Sequence, residues 1–229
     1  MKKLDLAKEL QSKLIQKQIF FFNKTNDNLI VELMEKGILN NKILSSIKNV
    51  PREIFTEDNL KKHIYKNIAL PVSCGQTISQ PYVVAYMIDC LKLRKSDKVL
   101  EIGTGTGYQT ALLSHLSKHV YTIEIFSKLY EQAKLNHEKL KLKNISYMLG
   151  NGVYGWKEQI SFDAIIISAA TKFIPIKILK NLKNDGKLIF PKMHLSGRQS
   201  LIIINKINES VFHEEKLLDV RFVPLLKEI

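Results

Sequence analysis

A carboxylate followed by three evenly spaced glycines is the part of the sequence most able to do chemistry. Glu101 lies within a short apolar run, and Gly103, Gly105 and Gly107 follow it in a G-x-G-x-G pattern. Glycines allow a sharp turn and a close approach to a ligand because they have no Cβ. Helical spacing of apolar residues begins at Tyr108. The pattern predicts a strand, a glycine-rich turn and a helix, the nucleotide-binding end of a doubly wound α/β fold.

The spacing and the acid together indicate which ligand this turn accepts. A dinucleotide-binding turn has the spacing G-x-G-x-x-G and offers backbone N–H groups to a pyrophosphate. Glu101 would repel a pyrophosphate and attract a cation. S-adenosylmethionine carries a sulfonium and an ammonium group, so it fits the turn better than NAD does. A purely structural role for the glycines is the alternative.

Two further polar positions follow the next predicted strands. Glu124 ends the strand His119–Ile123 and lies about twenty residues beyond the first glycine, where such domains place a carboxylate on the ribose hydroxyls. Asn151 follows the strand Ile145–Leu149 and stands between two glycines, a place from which it could contact an adenine edge. The alternatives are a favourable acid at a helix start for Glu124 and a plain turn for Asn151.

A loop over residues 68–81 is rich in hydroxyl and amide side chains. It contains two prolines and a glycine and precedes an amphipathic helix over Tyr82–Leu91. Pro81 suits the first helical position, with Ser79 or Gln80 as the cap. The loop is either an ordinary polar connection or one whose neutral donors orient a substrate.

Strands alternate with helices from about residue 98 to 190, which predicts a mostly parallel, doubly wound sheet. The last forty or so residues indicate antiparallel additions. Residues 1–27 show the spacing of a helical extension, and residues 28–229 are expected to form one domain, with a helical lead-in to residue 80 and the core over 81–229. The remaining predicted strands are Phe162–Ala170, Lys187–Phe190, Leu201–Ile204 and Val220–Leu225, and the remaining predicted helices are Leu29–Glu35, Asn40–Ile47, Phe126–Leu140 and Pro175–Leu182.

The composition favours a cytoplasmic protein and disfavours several other classes. The chain has 229 residues, 45% of them hydrophobic, and only two cysteines, Cys74 and Cys90. The cysteines lack the spacing of a metal site or a redox pair, so we expect neither a metal nor a disulfide framework. No segment approaches the roughly 18–20 apolar residues of a membrane span, and the mixed-charge N-terminus is not a secretory signal.

The net charge of +13 allows two interpretations. One is attraction to nucleic acid. The other is a lysine-rich surface that faces solvent. Lysines occur in almost every segment, and no arginine-rich or aromatic-interleaved stretch is present. We therefore do not expect a nucleic-acid partner.

Taken together, these motifs resemble the protein-L-isoaspartate (D-aspartate) O-methyltransferase family. The resemblance covers about residue 28 to the C-terminus, and the sequence Gly-Gln-Thr-Ile-Ser-Gln-Pro is its most specific part. The motifs that carry it occur in the family's order and are Val50–Phe55, Ala69–Pro71, Gly75–Pro81, Val99–Ala111, Phe162–Ile165 and Val220–Leu225.

The resemblance implies a class I S-adenosylmethionine-dependent methyltransferase fold and a repair reaction. The donor would be S-adenosylmethionine, and the acceptor would be the free carboxylate of an isoaspartyl or D-aspartyl residue in a damaged peptide or protein. Ser79 corresponds to the family's active-site serine. The expected donor-binding residues are Gln76, Thr77, Ile78, Glu101, Gly103, Gly105, Gly107, Glu124, Asn151 and Gly152. The expected acceptor-binding residues are Ser79, Ala170, Val223, Pro224 and Leu225.

Two positions depart from the family's pattern, and two rival functions stay open. Asn151 stands where the family usually has aspartate, and Thr171-Lys172 stands where it usually has proline-rich residues. One rival is a methyltransferase for RNA, which the basic charge favours and the sequence Ser168–Thr171 disfavours, since it is not the tetrad typical of adenine N-methylation. The other is a donor-binding protein without catalysis.

Overall fold

The computed structural model describes residues 27–226 of the chain. The predicted helical extension over residues 1–27 lies outside the described residues except for Asp27, which begins the first helix. No helix within the described range is long and apolar enough to cross a membrane.

The described chain folds into helices and strands that alternate through its middle. The helices are α1 (Asp27–Glu35), α2 (Asn41–Asn49), α3 (Pro81–Leu91), α4 (Tyr108–Leu116), α5 (Ser127–Lys139) and α6 (Ile176–Asn181). The strands are β1 (Leu70–Pro71), β2 (Thr77–Ile78), β3 (Lys98–Ile102), β4 (His119–Glu124), β5 (Ile145–Leu149), β6 (Phe162–Ile167), β7 (Leu182–Met193), β8 (Gln199–Lys206) and β9 (Phe212–Val220).

Seven strands form the main sheet in the order β5-β4-β3-β6-β7-β8-β9. The first five strands in this order, β5, β4, β3, β6 and β7, are parallel to one another. Strand β8 pairs antiparallel with β7, and β9 pairs antiparallel with β8. The doubly wound sheet and its antiparallel C-terminal strands are confirmed. The carboxyl ends of β3, β4, β5 and β6 therefore meet at one edge, where such folds bind ligands.

Alternate residues of the central strands face opposite sides of the sheet, and both sides are covered. Val99 packs in a cluster with the apolar residues of α1 to α4. Its neighbour Leu100 packs in a second cluster with Trp156 and Ile178. Burial on both faces explains why β6 is almost continuously apolar in sequence.

The C-terminal elements differ from the prediction. β7 starts at Leu182 instead of Lys187, because the turn signal at Asp185 forms a bulge inside the strand. The last strand is β9, whereas the segment predicted over Val220–Leu225 has only one isolated bridge, from Pro224 to Ala170. β9 is an exposed edge strand rich in charged residues, so it lacks the apolar pattern that reveals a buried strand.

Helix α3 starts as predicted but is capped from elsewhere in the chain. Pro81 is at the first helical position and Gln80 is the cap residue, yet neither Gln80 nor Ser79 gives a side-chain capping bond. Instead Asn67 Oδ1 accepts the N–H of Tyr82 at 2.9 Å. The Ser79 side chain therefore takes no part in capping α3.

The glycine-rich turn between β3 and α4 needs two of its glycines for different reasons. Gly105 has φ 57°, and a Cβ there would meet no atom within 4 Å. Gly107 has φ 97°, and a Cβ there would overlap the His137 ring. The first position is open towards a ligand, whereas the second is closed by packing.

We expect Gly107→Ala to lower the free energy of unfolding by about 3 kcal/mol or more, since it adds a clash to an unfavourable backbone angle. Gly105→Ala is the matched control and should cost about 1 kcal/mol, because only the backbone angle opposes it. Urea unfolding of both variants without ligand measures the difference. Equal losses would contradict the packing role given to Gly107.

Candidate functional site

A cleft of about 840 Å³, counting its open mouth, lies at the carboxyl edge of the sheet. The turn after β3, the end of β4 and the glycines after β5 form one side, and the loop before α3 and the segment after β9 form the other. The predicted site residues that line it are Gln76, Thr77, Ile78, Ser79, Gly103, Gly105, Glu124, Gly152, Val223, Pro224 and Leu225. Four others do not line it, namely Glu101, Gly107, Asn151 and Ala170.

Glu124 is held at the end of β4 by three backbone N–H groups. Its Oε2 accepts the N–H of Gly105 at 2.7 Å, and its Oε1 accepts those of Ile125 and Phe126 at 2.9 and 3.0 Å. Burial raises the pKa of Glu124, and these bonds act against the rise. A carboxylate oxygen has two lone pairs, so Oε2 keeps capacity for a ligand hydroxyl.

Glu101 is not among the residues that line the cleft, and its predicted contact with the donor stays a prediction. The side chain is fully buried and accepts hydrogen bonds from Gln109 Nε2 at 3.0 Å, from Thr122 Oγ1 at 2.7 Å and from Thr110 Oγ1. Burial raises the pKa of Glu101 to about 7 against these bonds, which lower it. The carboxyl group thus fixes the floor of the cleft.

Gln109 and Ser168 line the cleft and were not predicted. Gln109 Nε2 donates both to Glu101 and to Ser168 Oγ, the latter at 2.8 Å. Ser168 directly follows β6, so its position at the carboxyl edge was the signal available for it. Gln109 lies in the first turn of α4, directly after the glycine-rich turn, and this position was the signal available for it.

Gly107 is a packing position behind the cleft, and its predicted contact with the donor stays a prediction. Its carbonyl accepts a hydrogen bond from His137 Nε2 at 2.7 Å, and His137 Nδ1 lies 2.8 Å from the Tyr147 hydroxyl. The carbonyl can only accept, so Nε2 carries the proton. Burial lowers the pKa of His137, so the ring is neutral and Nδ1 accepts from Tyr147. Asn136 Nδ2 also donates to the Thr106 carbonyl at 3.0 Å, and α5 thereby fixes the turn from behind.

Asn151 caps a short turn and is not among the residues that line the cleft, and the adenine contact expected of it stays a prediction. Its Oδ1 accepts the N–H of Val153 at 2.9 Å and starts the 3₁₀ turn Gly152–Tyr154. An amide oxygen performs this as a carboxylate would, which explains how the chain accommodates asparagine here. The cleft is lined instead by the adjacent Gly150 and Gly152.

A buried arginine holds the loop that carries Ser79. Arg52 is 1% exposed, and its Nη2 donates to the carbonyls of Ile68 and Ser79 at 3.2 and 3.1 Å. Its guanidinium carbon lies 5.5 Å from the ring centre of Tyr108. Burial lowers the pKa of Arg52 to about 10, so it stays cationic at neutral pH. Arg52 occurs in a motif of the sequence resemblance, but its role was not predicted.

Ser79 lies where the cleft meets a second groove. This groove of about 1120 Å³ shares Thr77, Ser79, Ser168 and Val223 with the cleft. Within residues 27–226 the Ser79 hydroxyl has no hydrogen-bond partner, whereas its carbonyl is held by Arg52. The hydroxyl is therefore available to a molecule placed at the junction.

Ala170 supports the wall of the cleft without lining it, and its predicted contact with the acceptor stays a prediction. Its N–H donates to the Val223 carbonyl at 2.7 Å, and its carbonyl accepts the N–H of Leu225 at 2.8 Å. These bonds hold the segment Val223–Leu225 along the mouth of the cleft.

The side chains of the cleft suit group transfer to a nucleophile that is already ionised. Among the described residues, no His, Cys, Lys or Arg lines the cleft, and its only carboxylate is Glu124. Nor does any described cluster of three His, Cys, Asp or Glu side chains offer a metal site. The cleft offers hydroxyl and amide donors and apolar walls, which can hold two reacting groups in place.

Comparison with known proteins identifies close relatives along almost the whole chain. The sequence model of the family "Protein-L-isoaspartate(D-aspartate) O-methyltransferase (PCMT)" matches residues 23–229. A protein-L-isoaspartate O-methyltransferase from Parvibaculum lavamentivorans is 44% identical over 203 residues, which are 88% of this chain and 91% of the relative. Another, from Photobacterium profundum, is 42% identical and covers 90% of this chain and 97% of its own.

Solved structures give the same picture of the fold. A protein-L-isoaspartate O-methyltransferase superposes with a TM-score of 0.81 at 29% identity over 87% of this chain, which spans 65% of that structure's chain. A Plasmodium falciparum protein solved with S-adenosyl-L-homocysteine superposes with a TM-score of 0.79 at 24% identity, covering 90% of this chain and 100% of its own. The fold is that of the class I methyltransferases.

The buried Glu101 predicts a pH dependence of stability that Glu101→Gln removes. Its pKa is raised from an ordinary 4.5 to about 7, so between these values the folded chain binds the proton more tightly than the unfolded chain. This contribution to the free energy of unfolding is fully present below pH 4.5 and is lost as the pH rises through about 7. As the pH rises across this window, the free energy of unfolding of the unaltered chain should therefore fall by on the order of 3 kcal/mol more than that of the variant.

Urea unfolding across and above this pH window measures the effect. Glu131→Gln, which replaces an exposed acid on α5, is the matched control and should parallel the unaltered chain. A constant difference between the unaltered chain and Glu101→Gln at every pH would contradict the assignment.

Proposed function

The chain belongs to the protein-L-isoaspartate(D-aspartate) O-methyltransferase family, and from that premise we propose how its cleft works. It is an enzyme that transfers a methyl group from S-adenosylmethionine to the free carboxylate of L-isoaspartyl and D-aspartyl residues in damaged peptides and proteins. The observation that carries this proposal is a ligand cleft at the carboxyl edge of the sheet that joins a second groove at Ser79 and to which residues 27–226 contribute no His or Lys side chain as a base.

The residues at the carboxyl ends of β3, β4 and β5 fit S-adenosylmethionine. The open space over Gly105 allows close approach of a ligand, and Glu124 retains a lone pair for a ribose hydroxyl. Phe126 and Leu129 offer an apolar wall for an adenine, next to Gly150 and Gly152. When bound, this donor supplies an electrophilic methyl group on a positively charged sulfur.

The acceptor side needs to position a carboxylate and does not need to activate it. An aspartyl or isoaspartyl carboxyl group is already ionised at neutral pH, so its oxygen is a nucleophile without a general base. We assign Ser79 to this carboxylate: its hydroxyl donates a hydrogen bond to one oxygen and leaves the other free to attack. Gln76 and Thr77 support the loop, and Val223–Leu225 border the acceptor.

The rate then depends on alignment and on the exclusion of water. Holding the carboxylate oxygen in line with the methyl group replaces a bimolecular encounter by a positioned one. The product is a methyl ester, which loses methanol to form a succinimide without help from the enzyme. Hydrolysis of the succinimide returns part of the chain to normal aspartate, which is the repair.

We propose that residues 28–229 are one methyltransferase domain, which the match over residues 23–229 supports. We also propose a cytoplasmic location, which the two free thiols of Cys74 and Cys90 support, since reducing compartments keep thiols free. Isoaspartyl-containing peptides and proteins are the proposed partners.

Methyl transfer to a pair of peptides tests the reaction. The peptides share one sequence and differ only in an isoaspartyl or an aspartyl linkage, and the donor carries a labelled methyl group. We expect the isoaspartyl peptide to be labelled at least about a hundredfold faster, because only its geometry brings the carboxylate to Ser79.

Binding of S-adenosylhomocysteine, measured in parallel, separates the two ways in which the proposal could fail. Binding with equal labelling of both peptides would contradict the acceptor class. Binding without any labelling would indicate a donor-binding protein that lacks catalysis.

A further inference from the structure

An exposed apolar groove shares Pro224 and Leu225 with the cleft but is not lined by Ser79. Three large side chains that line it are unusually exposed: Tyr154 at 63%, Phe173 at 80% and Ile176 at 62%. The groove encloses about 1400 Å³, counting its open side. Single exposed apolar residues are ordinary, but several around one depression mark a binding surface. We call it the Phe173 groove.

Hydrogen bonds to a neighbouring strand fix one wall of this groove. The N–H of Thr171 donates to the Pro191 carbonyl at 3.1 Å, and the Thr171 carbonyl accepts the N–H of Met193 at 2.9 Å. The Thr171 hydroxyl donates to the Phe173 carbonyl at 2.8 Å. The loop that presents Phe173 is thus tied to β7, and the groove is preformed.

The Phe173 groove is continuous with the proposed acceptor site. Pro224 and Leu225 line both the cleft and the groove, and Val223 lines both the cleft and the second groove beside Ser79. An extended peptide advances about 3.3 Å per residue, so residues close in sequence to the isoaspartyl residue reach a groove that shares a wall with its pocket.

The charge around the groove selects among its possible occupants. Lys172 and Lys177 line it, and among the described residues no Asp or Glu does. A second copy of this chain would bring a net charge of +13 against an equal charge, which opposes self-association here. An apolar segment with an acidic neighbour is complementary in both respects.

We propose that the Phe173 groove binds a segment of the damaged polypeptide near its isoaspartyl residue, one that presents an aliphatic or aromatic side chain beside an acidic one. The inference rests on the proposed function and adds a substrate class to it. Aliphatic and aromatic side chains are mostly buried in folded proteins. The groove therefore directs the enzyme to isoaspartyl residues in segments that have lost their fold.

Methylation kinetics with three isoaspartyl peptides test this inference. A short peptide has glycine and serine neighbours, and two longer ones add a Phe-Asp pair about two to four residues away, on the N-terminal side in one and on the C-terminal side in the other. We expect one longer peptide to have a KM about tenfold below that of the short one with similar kcat, since burial of one aromatic side chain suffices for such a factor.

Two pairs of variants then locate the effect. Phe173→Ala should remove the KM advantage and leave the short peptide unaffected. Leu135→Ala, which also truncates an exposed apolar side chain but on α5, should keep the advantage. Lys172→Glu should reduce the KM advantage of the Phe-Asp peptide because it places a negative charge beside the aspartate, whereas Lys180→Glu, on α6 outside the groove, should not.

The possible failures are distinguishable. If the unaltered chain does not methylate the short peptide, the proposed function fails and this inference with it. If it does, but Phe173→Ala keeps the advantage or neither longer peptide shows one, only the inference is overturned. Concentration-dependent self-association that Phe173→Ala abolishes would assign the groove to a second copy and would also overturn it.

Discussion

A buried guanidinium ties the two sides of the cleft to each other. Arg52 donates to the Ser79 carbonyl on the acceptor side and lies over the ring of Tyr108, which begins the helix after the glycine-rich turn on the donor side. Removing an arginine from water is unfavourable unless its N–H groups find other partners. Here three carbonyls accept from the two Nη groups and the Tyr108 ring faces the guanidinium, whereas the Nε has no hydrogen-bond partner among the described residues. The loop with Ser79 and the helix behind the donor turn are therefore held in one arrangement.

The donor side is fixed in the same way from two further directions. The Glu101 carboxyl group holds Gln109 from beneath, and His137 holds the Gly107 carbonyl from behind. Phe55 packs against both the Tyr108 and His137 rings, at 5.6 and 6.0 Å between centroids, and so joins these supports to the arginine. A cleft assembled in this manner is ready before a ligand arrives, which is what a reaction governed by alignment requires.

Much of the fold could be predicted from sequence because its signals are local. The apolar run, the glycines and the helix over β3 to α4 lie within a few residues of one another, and so do most of the parallel strands. The exact roles of Glu101 and Gly107 could not be read in this way, since they depend on Thr122 and His137, which lie far along the chain. Strand β9 was missed because its exposed edge carries charged residues without an apolar pattern.

The central claim is that the Ser79 hydroxyl orients the acceptor carboxylate and takes no part in binding the donor. Ser79→Ala, compared with the unaltered chain, tests it most directly through kcat on an isoaspartyl peptide and the Kd of S-adenosylhomocysteine. Loss of one hydrogen bond to a carboxylate predicts a kcat about tenfold to a hundredfold lower, with the Kd within about a factor of two. An unchanged kcat, or a Kd that rises as much as kcat falls, would contradict the account.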